Sequence, residues 1–212
     1  MRVLITGSTG LGAVVAEAFK EHQPVVIGRN NMLPFDHQFD AVIHTSGGGL
    51  GYKNPLLSEH EFYGLFQLNL GYHAAINRQV LPHMVERKSG YICHVCSIAS
   101  GEAVGSVGYN TVKAALAAYV RSLGREMARY GIVVSGIAPG GFRCAGNAMD
   151  RLAQANPEAY DHFIRDRLPR GHMGDASELI PLIQLLTSPA GSMMGGCVVP
   201  IDAGEGRYYE AN

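Results

Sequence analysis

Six short runs rich in valine and isoleucine recur along the chain, at 2–6, 24–28, 40–45, 90–96, 132–137 and 197–201. Helical periodicity fills most of the space between them, at 11–22, 58–87, 107–130, 147–167 and 175–187. In the third of these stretches Val112, Leu116, Val120, Leu123 and Met127 return at helical spacing. The short runs are almost continuously apolar rather than alternating, which is the pattern of strands covered on both faces. Strands alternating with helices then predict an α/β fold: a doubly wound parallel sheet of about six strands with helices on both faces. The chain has 212 residues, with no repeat, no low-complexity stretch and no linker, so one domain over 1–212 is expected.

Charge narrows the partners. Charged residues are 17% of the chain and the net charge is −1, a balance that gives nucleic acid or a membrane surface nothing to hold. No apolar run reaches the roughly 18 residues of a membrane span. The first strand begins directly after Met1 without a leader pattern, which makes the cytoplasm the expected location. Cys93 and Cys96 form a C-x-x-C, a spacing used for zinc and for redox pairs. On a strand, however, residues three apart point to opposite faces. Small core side chains are the better reading, and no metal is expected.

The second and third strands are separated only by residues 29–39, too few for a helical crossover, and Asn30, Asn31 and Pro34 oppose a helix there. These two strands are therefore expected not to be neighbours in the sheet, or to be joined by a bare loop. The first strand runs into Thr6-Gly7-Ser8-Thr9-Gly10-Leu11-Gly12 and then a helix. Glycines at such a turn let the backbone approach a pyrophosphate, and the helix N-terminus offers free amides and partial positive charge. The plain alternative is a tight turn. The second strand ends at Arg29, where an acidic residue would suit the 2′-hydroxyl of NAD. An arginine suits a 2′-phosphate, so NADP(H) is favoured and NAD(H) is the alternative; a solvated surface charge is the other reading.

Tyr109 and Lys113 stand four apart at the start of an otherwise apolar helix, so both project from one face. An ammonium about 4 Å from a phenol favours the phenolate by roughly 4 kcal/mol at an effective dielectric of 20. The pair can therefore give or take a proton near neutrality. A lysine amine also has three donors, enough to hold ribose hydroxyls. Ser97 follows a strand directly, where its hydroxyl could polarise a carbonyl, although a serine there is often a turn former.

Taken in order, these segments resemble the short-chain dehydrogenase/reductase family. The likeness covers the glycine turn, Asp40-Ala41-Val42-Ile43, Gln67-Leu68-Asn69-Leu70-Gly71, the run from Ile92 to Ser97, Tyr109 with Lys113, Ala138-Pro139-Gly140, and Val199-Pro200-Ile201-Asp202-Ala203-Gly204. The resemblance implies a Rossmann-like fold and a carbonyl/alcohol oxidoreductase that uses NADP(H) or NAD(H). By the same resemblance Tyr109 is the general acid/base, Lys113 assists it and binds the nicotinamide ribose, Ser97 orients the carbonyl, and Asn69 supports a water that relays protons. It implies cofactor contacts at Gly7, Ser8, Thr9, Gly10, Leu11, Gly12, Arg29, Ser46, Gly47, Tyr109, Lys113, Pro139, Gly140, Phe142 and Cys144.

Departures from the family pattern are visible. The glycine turn is one residue short. His44-Thr45-Ser46-Gly47 stands for the usual N-N-A-G, and Cys144 stands for a threonine. The family's third strand and the helix after it are trimmed, with Asp36 a candidate remnant. These changes motivate an alternative: a non-catalytic NAD(P)-binding or interaction protein on the same fold.

The segment 142–172 occupies the family's variable substrate lid. Arg143, Arg165, Arg167 and Arg170 there could read an anionic substrate, but Asp150, Glu158, Asp161 and Asp166 make a mixed solvated face the better reading. The partner implied is a small-molecule carbonyl or alcohol, with Glu102 a candidate for the pocket lining. A homodimer or homotetramer follows from the resemblance, built on helices 58–87 and 107–130, where Ala114, Ala117, Ala118 and Gly124 would allow close approach.

Overall fold

The computed structural model describes residues 1–28 and 38–207; Arg29 and Asp36 lie outside them. Six parallel strands form the main sheet: β1 (Val3–Thr6), β2 (Val25–Ile27), β3 (Ala41–His44), β4 (Gly90–Val95), β5 (Ile132–Pro139) and, last in the chain, β8 (Val198–Ile201). Their order is β2-β1-β3-β4-β5-β8. The second and third strands are indeed not neighbours, because each pairs with β1, from opposite sides. Chain direction across the sheet reverses at β1, which opens a crevice at its carboxyl end. Two-residue strands β6 (Phe142–Arg143) and β7 (Gly174–Asp175), too short for any periodic signal, pair separately.

Alternate side chains of each strand feed two different cores, as the continuous apolar runs require. Val3, Ile5, Ile43 and Cys93 pack with Leu11 and Val15 of α1 (Leu11–Ala18) and with Ile183 and Leu186 of α7 (Ile180–Leu186). Leu4, Val42 and Ile92 pack on the other face with Ile76, Val80 and Met84 of α3 (Tyr72–Arg87). Cys96 joins a third cluster, with Leu116 and Val120 of α4 (Val107–Ala128). Cys93 and Cys96 thus belong to different faces.

Four helical stretches are subdivided; the one expected at 11–22 ends at Ala18 and is followed by a 3₁₀ turn, Lys20–His22. The one expected at 58–87 begins at α2 (Glu59–Phe66) with a Ser58–Glu61 capping box, passes through a π-turn at Gln67–Gly71 and continues as α3. The one at 147–167 breaks into α5 (Ala148–Ala155) and α6 (Pro157–Arg167). Pro157 starts the second helix, and the Asn156 side chain caps it. The last begins with a 3₁₀ turn, Ala176–Leu179, before α7. In α4, Ala117 is buried, and a Cβ on Gly124 would sit 2.3 Å from the amide of Gly196. These two small residues therefore serve packing within the chain; Ala114 is half-buried and Ala118 is exposed. Among the described residues no helix is long and apolar enough to cross a membrane.

Candidate active site

The glycine turn after β1 requires glycine for two distinct reasons. Gly7 and Gly10 have φ of 101° and 56°, a region that side chains rarely adopt. Gly12 lies on the first turn of α1 against the turn itself, and a Cβ there would fall 1.9 Å from the carbonyl oxygen of Gly7. The turn also touches the loop after β3, since a Cβ on Gly7 would meet Thr45 Oγ1 at 2.6 Å. Gly10 caps α1 with no side-chain bond of its own, and the amides of Gly12 and Ala13 turn back onto the carbonyls of Thr9 and Gly10 at 3.1 Å. Cys144 closes on this point from the far side. Its sulfur takes the Leu11 amide, while burial pushes its thiol pKa up.

Across the crevice, Tyr109 and Lys113 occupy the first two turns of α4. Lys113 is only 3% exposed, and its Nζ lies 5.7 Å from the centre of the Tyr109 ring. The amine donates to Val95 O at 2.9 Å, its one hydrogen-bond partner among the described residues, so two of its three protons remain for a ligand. Gly47 packs closely against it: a Cβ there would lie 3.2 Å from Nζ and 2.9 Å from Asn69 Oδ1, so only glycine lets the loop pass. The next loop residue but one, Gly49, passes the Tyr109 ring, with its absent Cβ 3.7 Å from Cδ2.

Asn69 sits fully buried inside the π-turn. A π-turn moves the backbone bonds from i+4 to i+5 and is frequent at functional sites. Here the Asn69 side chain bonds the Leu65 carbonyl one turn back, at 2.9 Å. The same amide clamps Gly48. Asn69, Lys113, Tyr109 and the loop Gly47 to Gly49 therefore form one contiguous group at the carboxyl edge of the sheet. Ser97 follows β4 on that edge and caps a short 3₁₀ turn, accepting from the Ala99 amide at 3.1 Å. It lines a small cavity with Ala138, Arg121 and Asp202. Pro139 ends β5, and Gly140 and Phe142 follow it along a larger cavity of about 260 Å³ floored by Ile201.

Three of the four lid arginines are engaged within the chain, and Arg165 is exposed. Arg143 pairs with Asp150 at 2.9 Å, Arg170 with Glu178 at 2.6 Å, and Arg167 with Glu205 at 3.4 Å. Glu102 accepts from the Arg207 amide. Glu205 was not singled out by sequence reasoning. It is 5% exposed, accepts from the Gly141 amide, and burial raises its carboxyl pKa. Nothing in its exposed-looking surroundings, Gly204 and Gly206, signalled this.

A buried polar group behind the loop was also missed. His44 at the end of β3, His94 on β4, and His73 and Asn77 on α3 are all at most 1% exposed. The His44 ring stacks on His73 at 4.4 Å and on His94 at 4.5 Å. Burial pushes the His44 pKa down to about 4 and those of His73 and His94 well below the usual histidine value; neighbouring rings and the Lys113 ammonium add to the last two. The available signal was a histidine in each of two strands that otherwise read as fully apolar.

Known proteins agree with this architecture. The family model for short chain dehydrogenase matches residues 32–155. The 2-dehydro-3-deoxy-D-gluconate 5-dehydrogenase of Formosa agariphila is 30% identical over 162 residues, covering 75% of this chain. The chain spans 60% of that relative's length. Levodione reductase superposes with a TM-score of 0.82 at 25% identity, over 98% of both chains. A 3-oxoacyl (acyl-carrier-protein) reductase from Agrobacterium tumefaciens with NADP bound gives 0.82 at 22% identity, over 96% of this chain and 93% of that one, a likeness of fold. With more than half of its length matched by the family model, this chain belongs to the short chain dehydrogenase family.

Proposed function

We propose that this chain is an oxidoreductase that reduces a ketone or aldehyde to an alcohol, or runs the reverse reaction, with NADP(H) preferred over NAD(H). The observation that supports it most is the convergence of Tyr109, the buried Lys113 amine and Asn69 on the loop Gly47 to Gly49, opposite the glycine turn.

The residues fit a dinucleotide. The turn after β1 has the positive φ angles at Gly7 and Gly10 that glycine tolerates, and it leads into a helix N-terminus, the backbone form that takes a phosphate. Two donors of Lys113 are left for ribose hydroxyls once Val95 O has taken the first. Arg29, outside the described residues, would pair with a 2′-phosphate. Bound there, a nicotinamide supplies or takes up the hydride.

The chain's own residues do the rest. Lys113 holds ribose hydroxyls and stabilises the phenolate left when Tyr109 gives its proton to the carbonyl oxygen. Ser97, whose hydroxyl proton is not needed for its cap, donates to the same oxygen. Asn69 Oδ1 and Lys113 Nζ both lie against Gly47, and a water held by the two groups would pass a proton from one to the other. Ser8, Thr9, Leu11, Ser46, Pro139, Gly140, Phe142 and Cys144 complete the cofactor walls. The name of the Formosa relative suggests a sugar-derived keto acid as the first substrate class to try. A cytoplasmic homodimer or homotetramer, built on α3 and α4, completes the reading.

The test is turnover. Purified protein with NADPH and a panel of ketones, aldehydes and keto acids should oxidise NADPH on at least one member. Tyr109→Phe should then lower kcat/KM by about 10²–10⁴-fold. Dinucleotide binding with no turnover on any member would favour the non-catalytic alternative.

A further inference from the structure

Six side chains behind the Gly47 to Gly49 loop close a ring of hydrogen bonds. Around it, His73 Nε2 meets Ser46 Oγ at 2.9 Å, Ser46 Oγ meets Thr6 Oγ1 at 3.1 Å, and Thr6 Oγ1 meets His44 Nδ1 at 3.4 Å. His44 Nε2 meets Asn77 Oδ1 at 2.8 Å, Asn77 Nδ2 meets His94 Nε2 at 3.4 Å, and His94 Nδ1 returns to His73 Nδ1 at 3.3 Å.

One backbone atom sets the direction of the whole ring. His73 Nε2 also lies 3.0 Å from the carbonyl oxygen of Ser46, which can only accept. His73 therefore carries its one proton on Nε2, shared between Ser46 O and Ser46 Oγ, and its Nδ1 is bare. His94 must then donate from Nδ1, leaving its Nε2 to accept from Asn77. That fixes the Asn77 amide, whose second proton goes to Tyr119 Oη at 3.2 Å. Asn77 Oδ1 faces His44, so His44 is protonated on Nε2 and accepts from Thr6 at Nδ1. Thr6 in turn accepts from Ser46. Flipping Asn77 would reverse His94 and set two bare ring nitrogens against each other at 3.3 Å. Every member donates once around the ring in the same sense, and no ring nitrogen is left over.

The ring members adjoin all three anchors of the candidate site. Ser46 precedes Gly47 and Gly48, the loop gripped by Asn69. His94 precedes Val95, whose carbonyl takes the Lys113 amine. His73 lies one turn beyond Asn69 along the same helix. We propose that this ring is a positioning unit: it fixes the loop, strand and helix that seat Asn69 and Lys113, without touching substrate or cofactor through its histidines. The role in turnover rests on the oxidoreductase reading above, whereas the ring and its hold on Asn69 do not.

The test has two arms that separate these. In the full-length protein labelled with ¹⁵N-histidine, long-range ¹H–¹⁵N correlations at pH 8 should show His44 and His73 as Nε2–H tautomers and His94 as Nδ1–H. A His94 Nε2–H tautomer, or any other assignment of the three, would overturn the ring, and this arm needs no variant to fold. In the second arm Thr6→Val removes one hydroxyl from the ring and Thr6→Ser keeps it. Thr6→Val should speed exchange of the Asn69 side-chain amide protons about tenfold or more, and Thr6→Ser should leave it at the wild-type rate. If the wild type turns over, Thr6→Val should lower kcat about tenfold with KM for the carbonyl nearly unchanged, since small displacements of a catalytic group are costly, and Thr6→Ser should restore it. Correct tautomers with equal amide exchange in both variants would overturn the positioning role. An inactive wild type with the predicted exchange pattern would count against the oxidoreductase reading alone.

Discussion

The side-chain amide of Asn69 grips both backbone groups of Gly48: Oδ1 accepts from the Gly48 amide at 3.0 Å, and Nδ2 donates to the Gly48 carbonyl at 2.9 Å. This mimics a strand pairing between a side chain and a loop. It works because Gly48, at φ 138°, turns both groups toward the π-turn in a conformation that favours glycine. With the bond to Leu65 O, one carboxamide satisfies three backbone groups at a break in the helix ladder.

Asn69→Leu keeps the volume and removes all three bonds. Each buried backbone group left without a partner costs about 1 kcal/mol or more, so a loss of about 2–4 kcal/mol in urea unfolding is expected. Asn69→Asp should be at least as damaging, because a carboxylate oxygen would then face the carbonyls of Gly48 and Leu65. A change under about 0.5 kcal/mol in both variants would mean that the loop does not depend on this clamp.

Ser135 offers the opposite case. It is fully buried on β5, shares its face with Ile137 and pairs in register with Cys93, and its hydroxyl has no hydrogen-bond partner among the described residues. A buried hydroxyl without a partner is destabilising, and alanine removes it with little loss of volume. Ser135→Ala should gain about 1 kcal/mol and raise Tm by about 2–4 °C for a chain of this size. A clear drop in Tm would reveal a partner that the hydroxyl finds in solution.

The strands were legible because each is a short valine- and isoleucine-rich run with turn residues beside it, and burial on both faces leaves such runs little freedom. That β2 and β3 need not be neighbours followed from the length of their connection, but their places on either side of β1 did not. Tyr109 and Lys113 were legible for a similar reason, because helical spacing fixes which residues share a face. The division at Pro157 was missed although the signal was local, since the apolar pattern continued across it. The clamp of Asn69 on Gly48 joins residues 21 apart through a π-turn, and no periodicity encodes that. The histidines were harder still. Their meaning lies in contacts between β1, β3, β4 and α3, which exist only once the sheet order is known.

Acid should expose those histidines. Unfolded, each takes a proton near pH 6.5. Folded, burial holds His44 down to about 4 and keeps His73 and His94 well below the usual value. The unfolded chain therefore binds more protons as pH falls below about 6.5, and stability must fall with it. The sign is that of groups buried neutral: stability is complete above the unfolded value and is lost as pH drops toward the folded ones. Each ring contributes up to about 1.4 kcal/mol per pH unit, so the three together give roughly 4 kcal/mol per unit at the steepest. Protonation would also put a cation beside the Lys113 ammonium in a site with little water to screen it. Urea unfolding at half-unit steps from pH 8 to pH 5 should show a plateau down to about 6.5 and then a steep decline, in a range where carboxylates are still ionised. A flat profile from pH 7 to pH 5 would show that the three rings exchange protons freely with solvent in the folded chain, and that they are not buried as described.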